Sequence, residues 1–120
     1  MTVKSFAKKY KLTLPEKLDK RVLRMPICLD YLPYNLGLFY PSFFCISINC
    51  VIIMFGTKDD LQMVFSHEIA HACNHLKGRY RRKHGSEWKK IAREFGIKNP
   101  TKISYVSDYL VEVLWSNNEL

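Results

Sequence analysis

Apolar residues at Leu61, Phe65, Ile69, Ala72 and Leu76 recur every three or four positions, the spacing of a helix that buries one stripe. Thr57 precedes this run and Asp60 stands three residues later, the pairing of a capping box. Gly78 follows as a stop signal. Upstream the period changes. Cys45, Ser47 and Asn49 alternate with Phe44, Ile46 and Ile48, which predicts a strand apolar on one face. A β-rich run at 36–40 joins it across Pro41-Ser42, giving a hairpin. The aromatic residues Phe39, Tyr40, Phe43 and Phe44 are assigned to the core.

The flanking segments read less uniformly. Residues 1–12 suit either a short helix or a basic arm. Thr13, Pro15 and Glu16 read as a helix start, with Leu14, Leu18 and Val22 as the stripe and Pro26 as the stop. Residues 27–29 begin a strand, and 30–35, with Pro33, form a loop. Residues 51–55 extend the hairpin strand or lead to the long helix, and Gly56 breaks them from it. Ser86 and Gly96 bound a further helix carrying Trp88 and Phe95. Both rings are assigned to the core, with base stacking as the other reading for Trp88. Alternation of Tyr109, Val111, Val113 and Trp115 favours a final strand, with Ser107-Asp108 as the cap of a helix in the alternative. Together these elements make an α+β chain, and 120 residues fit a single domain, 1–120.

The long helix carries the chemistry. Its sequence includes Ser66-His67-Glu68-Ile69-Ala70-His71. Residues four apart on a helix lie about 40° apart around the axis. His67 and His71 can therefore offer two imidazoles to one metal ion. Glu68, one step round, can reach a water at the metal without ligating it, the arrangement of zinc peptidases with a glutamate base. His75 extends the spacing, yet it lies roughly 12 Å along the axis from His67, too far to share an ion. His84, set just before the next helix, is the better third ligand, with Glu87 as the fallback. Cys73, two residues past His71, lies on another helical face and is not expected to ligate.

His67-Glu68-Ile69-Ala70-His71 followed by His84-Gly85-Ser86-Glu87-Trp88 resembles the SprT-like metallopeptidases, the group that includes the Spartan proteases. Residues 36–41 and 45–49 resemble that family's hairpin before the active helix, and the likeness spans about 23–96. The resemblance implies a zincin-like fold, with a small antiparallel-containing sheet packed on the HExxH helix and flanking helices. It implies one zinc ion held by His67, His71 and His84, with Glu68 as catalytic base. It further implies strand-wise binding of an extended protein substrate, and substrates that are associated with or crosslinked to DNA. Many members continue into a zinc ribbon with CxxC pairs. This sequence has no CxxC, so the DNA-engaging role of that ribbon is not expected here.

Charge bears on the partner. The net charge is +8, which favours polyanions. Eight cations precede residue 25, and Lys77, Arg79, Arg81, Arg82, Lys83, Lys89, Lys90 and Arg93 cluster near the proposed site. Arg79, Arg81, Arg82, Lys83, Lys89 and Lys90 are the candidate nucleic-acid contacts. A solvated basic face with no specific partner is the plainer reading. The apolar run from Phe43 to Phe55 is too short and too polar to span a bilayer. No secretory signal is expected, and Cys28, Cys45, Cys50 and Cys73 are read as reduced thiols in an intracellular compartment. Tyr80, Tyr105 and Tyr109 are candidate oxyanion donors. Two other functions remain open at this point. One is a basic nucleic-acid-binding module with a structural or vestigial zinc site. The other is a regulatory peptidase resembling the ImmA/IrrE group, which does not use the downstream His.

Overall fold

A computed structural model describes residues 1–78 and 86–94. Helix α1 (Val3–Tyr10) opens the chain, which resolves the choice left at 1–12. Its start is a capping box: Thr2 accepts from the Ser5 amide, and the Ser5 hydroxyl oxygen accepts from the Thr2 amide at 2.9 Å. Val3, Phe6 and Ala7 face inward, and Lys4, Lys8 and Lys9 face outward.

The helix expected from Thr13 does not form. Only α2 (Lys20–Leu23) is helical there, capped by Asp19. The reason is a side chain from elsewhere. Gln62 accepts from the Thr13 amide at 2.7 Å and donates to the Thr13 carbonyl at 3.1 Å. Both backbone groups of Thr13 are thereby taken up by a distant glutamine, and a helix starting at this cap is replaced by a strap.

Strands β1 (Ile27–Asp30), β2 (Gly37–Tyr40) and β3 (Cys45–Asn49) form a mixed sheet in the order β1-β3-β2. β1 runs parallel to β3, with Cys28 opposite Ser47, and β2 runs antiparallel to β3, with Leu38 opposite Ser47. Asn49 ends β3 by capping α3 (Cys50–Phe55), so 51–55 is helical and does not extend the strand. Its amide also donates to the Leu32 and Asn35 carbonyls at 2.7 and 2.9 Å. One residue thus closes the strand, starts a helix and pins the 31–36 loop. Within the hairpin, Phe39 and Phe44 are partly buried against the core, whereas Phe43 is 79% exposed. Its core assignment is therefore corrected: it sits at the hairpin tip, where nothing described covers it.

Helix α4 (Lys58–Leu76) begins at the expected capping box, Thr57 with Asp60, and is followed by Gly78 at φ +71°. α4 is enclosed on two sides. Its Leu61, Phe65, Ile69 and Ala72 join Phe6, Ile27, Ile46 and Ile48 in the main core, where Phe65 stacks on Phe6 at 5.6 Å. Ala70 faces the other way, into a second cluster with Trp88, Ile91 and Ala92 of α5 (Ser86–Glu94). The molecule is therefore a compact α+β fold in which one helix is clasped between a small sheet and another helix. Among the described residues, no helix is long and apolar enough to cross a membrane.

Candidate metal centre

The two-sided burial of α4 draws polar side chains inside. His67 and Glu68 are buried, and His71 is half-buried. Their potential ligand atoms all lie within 4.8 Å of one another. The Nε2 atoms of His67 and His71 are 3.2 Å apart. Two nitrogens bound at 2.0–2.1 Å to one tetrahedral ion stand roughly 3.3 Å apart. The pair is therefore spaced as a shared metal requires, and imidazole donors suit zinc, copper, iron or nickel. The same spacing also permits one imidazole to donate to the other.

Trp88 fixes the rings. It is fully buried, stacks on His71 at 5.2 Å and 29°, and meets His67 edge-on at 5.0 Å and 65°. The sequence reading placed Trp88 in the core but missed this contact. The available signal was its position four residues after His84 in the second motif.

Gly37 is the other residue without an assigned role at the outset. A Cβ there would fall 2.9 Å from Val64 Cγ1 and 3.0 Å from Glu68 Cγ. β2 thus lies directly on the turn of α4 that carries Glu68, and only a residue without a side chain permits the approach. A glycine interrupting a strand was the sign of it. Beneath, Gln62 donates to the Ser66 hydroxyl at 2.9 Å, tying the residue before His67 to the Thr13 strap.

The structure brings His67, Glu68 and His71 together. His84 and the cations Arg79, Arg81, Arg82 and Lys83 lie outside the described residues, as do Tyr80, Tyr105, Tyr109, Phe95 and the 105–115 segment. The Glu87 side chain lies outside them too. Lys89 is half-buried and Lys90 exposed on α5. His75 stands apart from the group, its ring 5.6 Å from Phe39 and 6.1 Å from Phe44.

Comparison with known families decides the lineage: the SprT-like family model matches residues 17–106. The chain belongs to the SprT-like family. No curated protein and no solved structure matches it. Membership suggests that this SprT-like chain is a metallopeptidase-like domain, and the His67, Glu68 and His71 group is where a metal ion could sit.

Proposed function

We propose that this protein is a zinc-dependent endopeptidase of zincin-like build. The observation that carries the reading is the 3.2 Å pair of imidazole nitrogens with the buried Glu68 beside it, in a chain of this family. His67 and His71 would hold the ion from α4, with His84 as third ligand. Zinc supplies Lewis acidity toward a peptide carbonyl and makes water a nucleophile near neutral pH. Glu68 takes the proton from the attacking water and returns it to the leaving amine. Burial of Glu68 beneath β2 shields that transfer from bulk solvent. Trp88 holds both imidazole planes, so the ligand pair needs little reordering when the ion enters.

The test is Glu68→Gln. Zinc content should stay near wild type while cleavage of an unfolded protein falls by about 10²–10⁴-fold. Undiminished cleavage in that variant would remove the base from Glu68. Measuring zinc in His84→Ala then separates this reading from the ImmA/IrrE-like one: a marked loss is expected only if His84 is a ligand.

Proteins held on DNA are the substrate class we favour. The support is that Lys4, Lys8, Lys9, Lys11, Lys20 and Arg24, on α1 and near α2, and Lys90 of α5 are all exposed cations. DNA affinity that falls steeply with salt is the expected behaviour.

A further inference from the structure

The sheet has a second face, turned away from α4. Ile27, Ile46 and Ile48 join the core that α4 enters, and side chains alternate along a strand. Cys28 of β1 and Cys45 and Ser47 of β3 therefore share the opposite face. Cys28 is in register with Ser47. Its Sγ lies 3.5 Å from the Ser47 Oγ and donates to the Ile46 carbonyl at 3.8 Å. Ser47 is buried, so its hydroxyl is a fixed partner that holds the Cys28 thiol in place. Cys45 stands two residues before Ser47 on the same strand. Cys28 is exposed and Cys45 half-buried, so this face is open to a small ion from solvent.

Spacing decides what two such thiols can do. Neighbouring strands lie ~4.8 Å apart and each residue advances ~3.3 Å, so the diagonal from Cys28 to Cys45 is roughly 8 Å between Cα atoms. A disulfide needs Cα atoms within about 7 Å, and a direct S–S bond would require the strands to shift. Two sulfurs held by one ion at ~2.3 Å each stand up to about 4.6 Å apart, a gap that side chains leaning together across the diagonal span without backbone movement. Burial raises the Cys45 pKa, and the neighbouring Cys28 raises it further. Two thiolates here oppose each other, and a cation between them removes the opposition. Ligand count then selects the ion. Among the described residues, no third His, Cys, Asp or Glu joins the two thiols in a ligand group. A structural zinc takes four ligands. Two soft sulfurs alone suit a soft monovalent ion that accepts two-coordination, which is cuprous copper.

We infer that Cys28 and Cys45 bind one cuprous ion on the outer face of the sheet, with the Ser47 hydroxyl holding Cys28 in position. Binding releases the two thiol protons and leaves a two-coordinate bis-thiolate, with no change in oxidation state. The site differs from the α4 group in its place and in its donors, and it does not depend on the peptidase reading.

Copper itself is the probe. The full chain, purified without a histidine tag, is titrated anaerobically with cuprous ion against a coloured cuprous chelator, and thiolate-to-copper absorption in the ultraviolet is followed alongside. The expected result is a tight site that shows this absorption. Cys28→Ser and Cys45→Ser should each weaken it at least about a hundredfold, since even groups outside the ligand shell contribute 10–100-fold. Ser47→Ala should weaken it about tenfold, the low end of that range. Cys50→Ser should leave it unchanged. All four variants should keep the wild-type thermal midpoint without metal, which separates loss of a ligand from loss of fold. Full affinity in Cys28→Ser or in Cys45→Ser overturns the inference and moves the copper elsewhere, the α4 imidazoles included. Zinc held by the two thiols as tightly as copper overturns the argument from ligand count. A Cys28–Cys45 disulfide formed readily in the folded protein by dilute hydrogen peroxide overturns the spacing and makes the two thiols a redox pair.

Discussion

The two flanks of α4 position their side chains by opposite means. On the sheet side, Glu68 is placed by the bare backbone of Gly37, with 3.0 Å between Glu68 Cγ and a Cβ that is not there. On the α5 side, His67 and His71 are placed by the largest side chain available, the Trp88 ring at 5.0 and 5.2 Å. One flank works by leaving room for nothing, the other by filling all the room. The first constrains the proposed base and the second the proposed ligands, so the two should fail separately.

Removing Trp88 is the largest break. Trp88→Ala should cost about 3–5 kcal/mol of stability, as buried aromatic truncations do, and should weaken zinc binding in the molecules still folded. Trp88→Phe should recover much of both. Denaturant unfolding and chelator competition measure the two effects, and unchanged zinc affinity in folded Trp88→Ala would show that the ring does not hold the ligands. Gly37→Ala is the complementary break. The added methyl must push Glu68 or Val64 aside. Zinc content should then persist while peptidase rate drops by about 10²-fold, the scale of a misplaced catalytic group. Loss of zinc in this variant would mean that the flanks are not independent.

Much of this arrangement was legible beforehand. Thr57, Asp60 and the Leu61, Phe65, Ile69, Ala72 stripe specify α4 locally, and His67 and His71 share a face because they are four apart. Local rules suffice for such features. They fail at Thr13, where a helix start is overridden by Gln62 from 49 residues away. They also fail at 51–55, because an apolar run without a clear period does not tell helix from strand, and Asn49 decides it as an N-cap. Gly37 and Trp88 were visible as residues, but their meaning depends on which elements meet, and spacing along one chain does not specify that.

The smallest effect sharpens the comparison from between the flanks. Cys73 touches both apolar clusters, and burial pushes its thiol up to about 11. A thiol in an unfolded chain ionises near 8.5. The folded state therefore keeps a proton that the unfolded state releases. The stability that this thiol contributes should be fully present below about pH 8.5 and decline as pH rises towards 11. Denaturant midpoints should follow that fall, and Cys73→Ala should flatten it. Iodoacetamide at pH 8 should label the exposed Cys28 well before Cys73.

The sheet order also has a kinetic consequence. The His67–His71 pair lies within one helix, and β2 reaches β3 across a short turn at 41–44, whereas β1 must find β3 from 19 residues away, as in Cys28 with Ser47. Short loops close first. The proposed ligand nitrogens should therefore come together early, the hairpin that covers Glu68 should follow, and β1 with α1, joined through the Thr2–Pro26 bridge, should lock the assembly last. A nascent chain built this way would form its proposed metal site before its proposed catalytic base is enclosed.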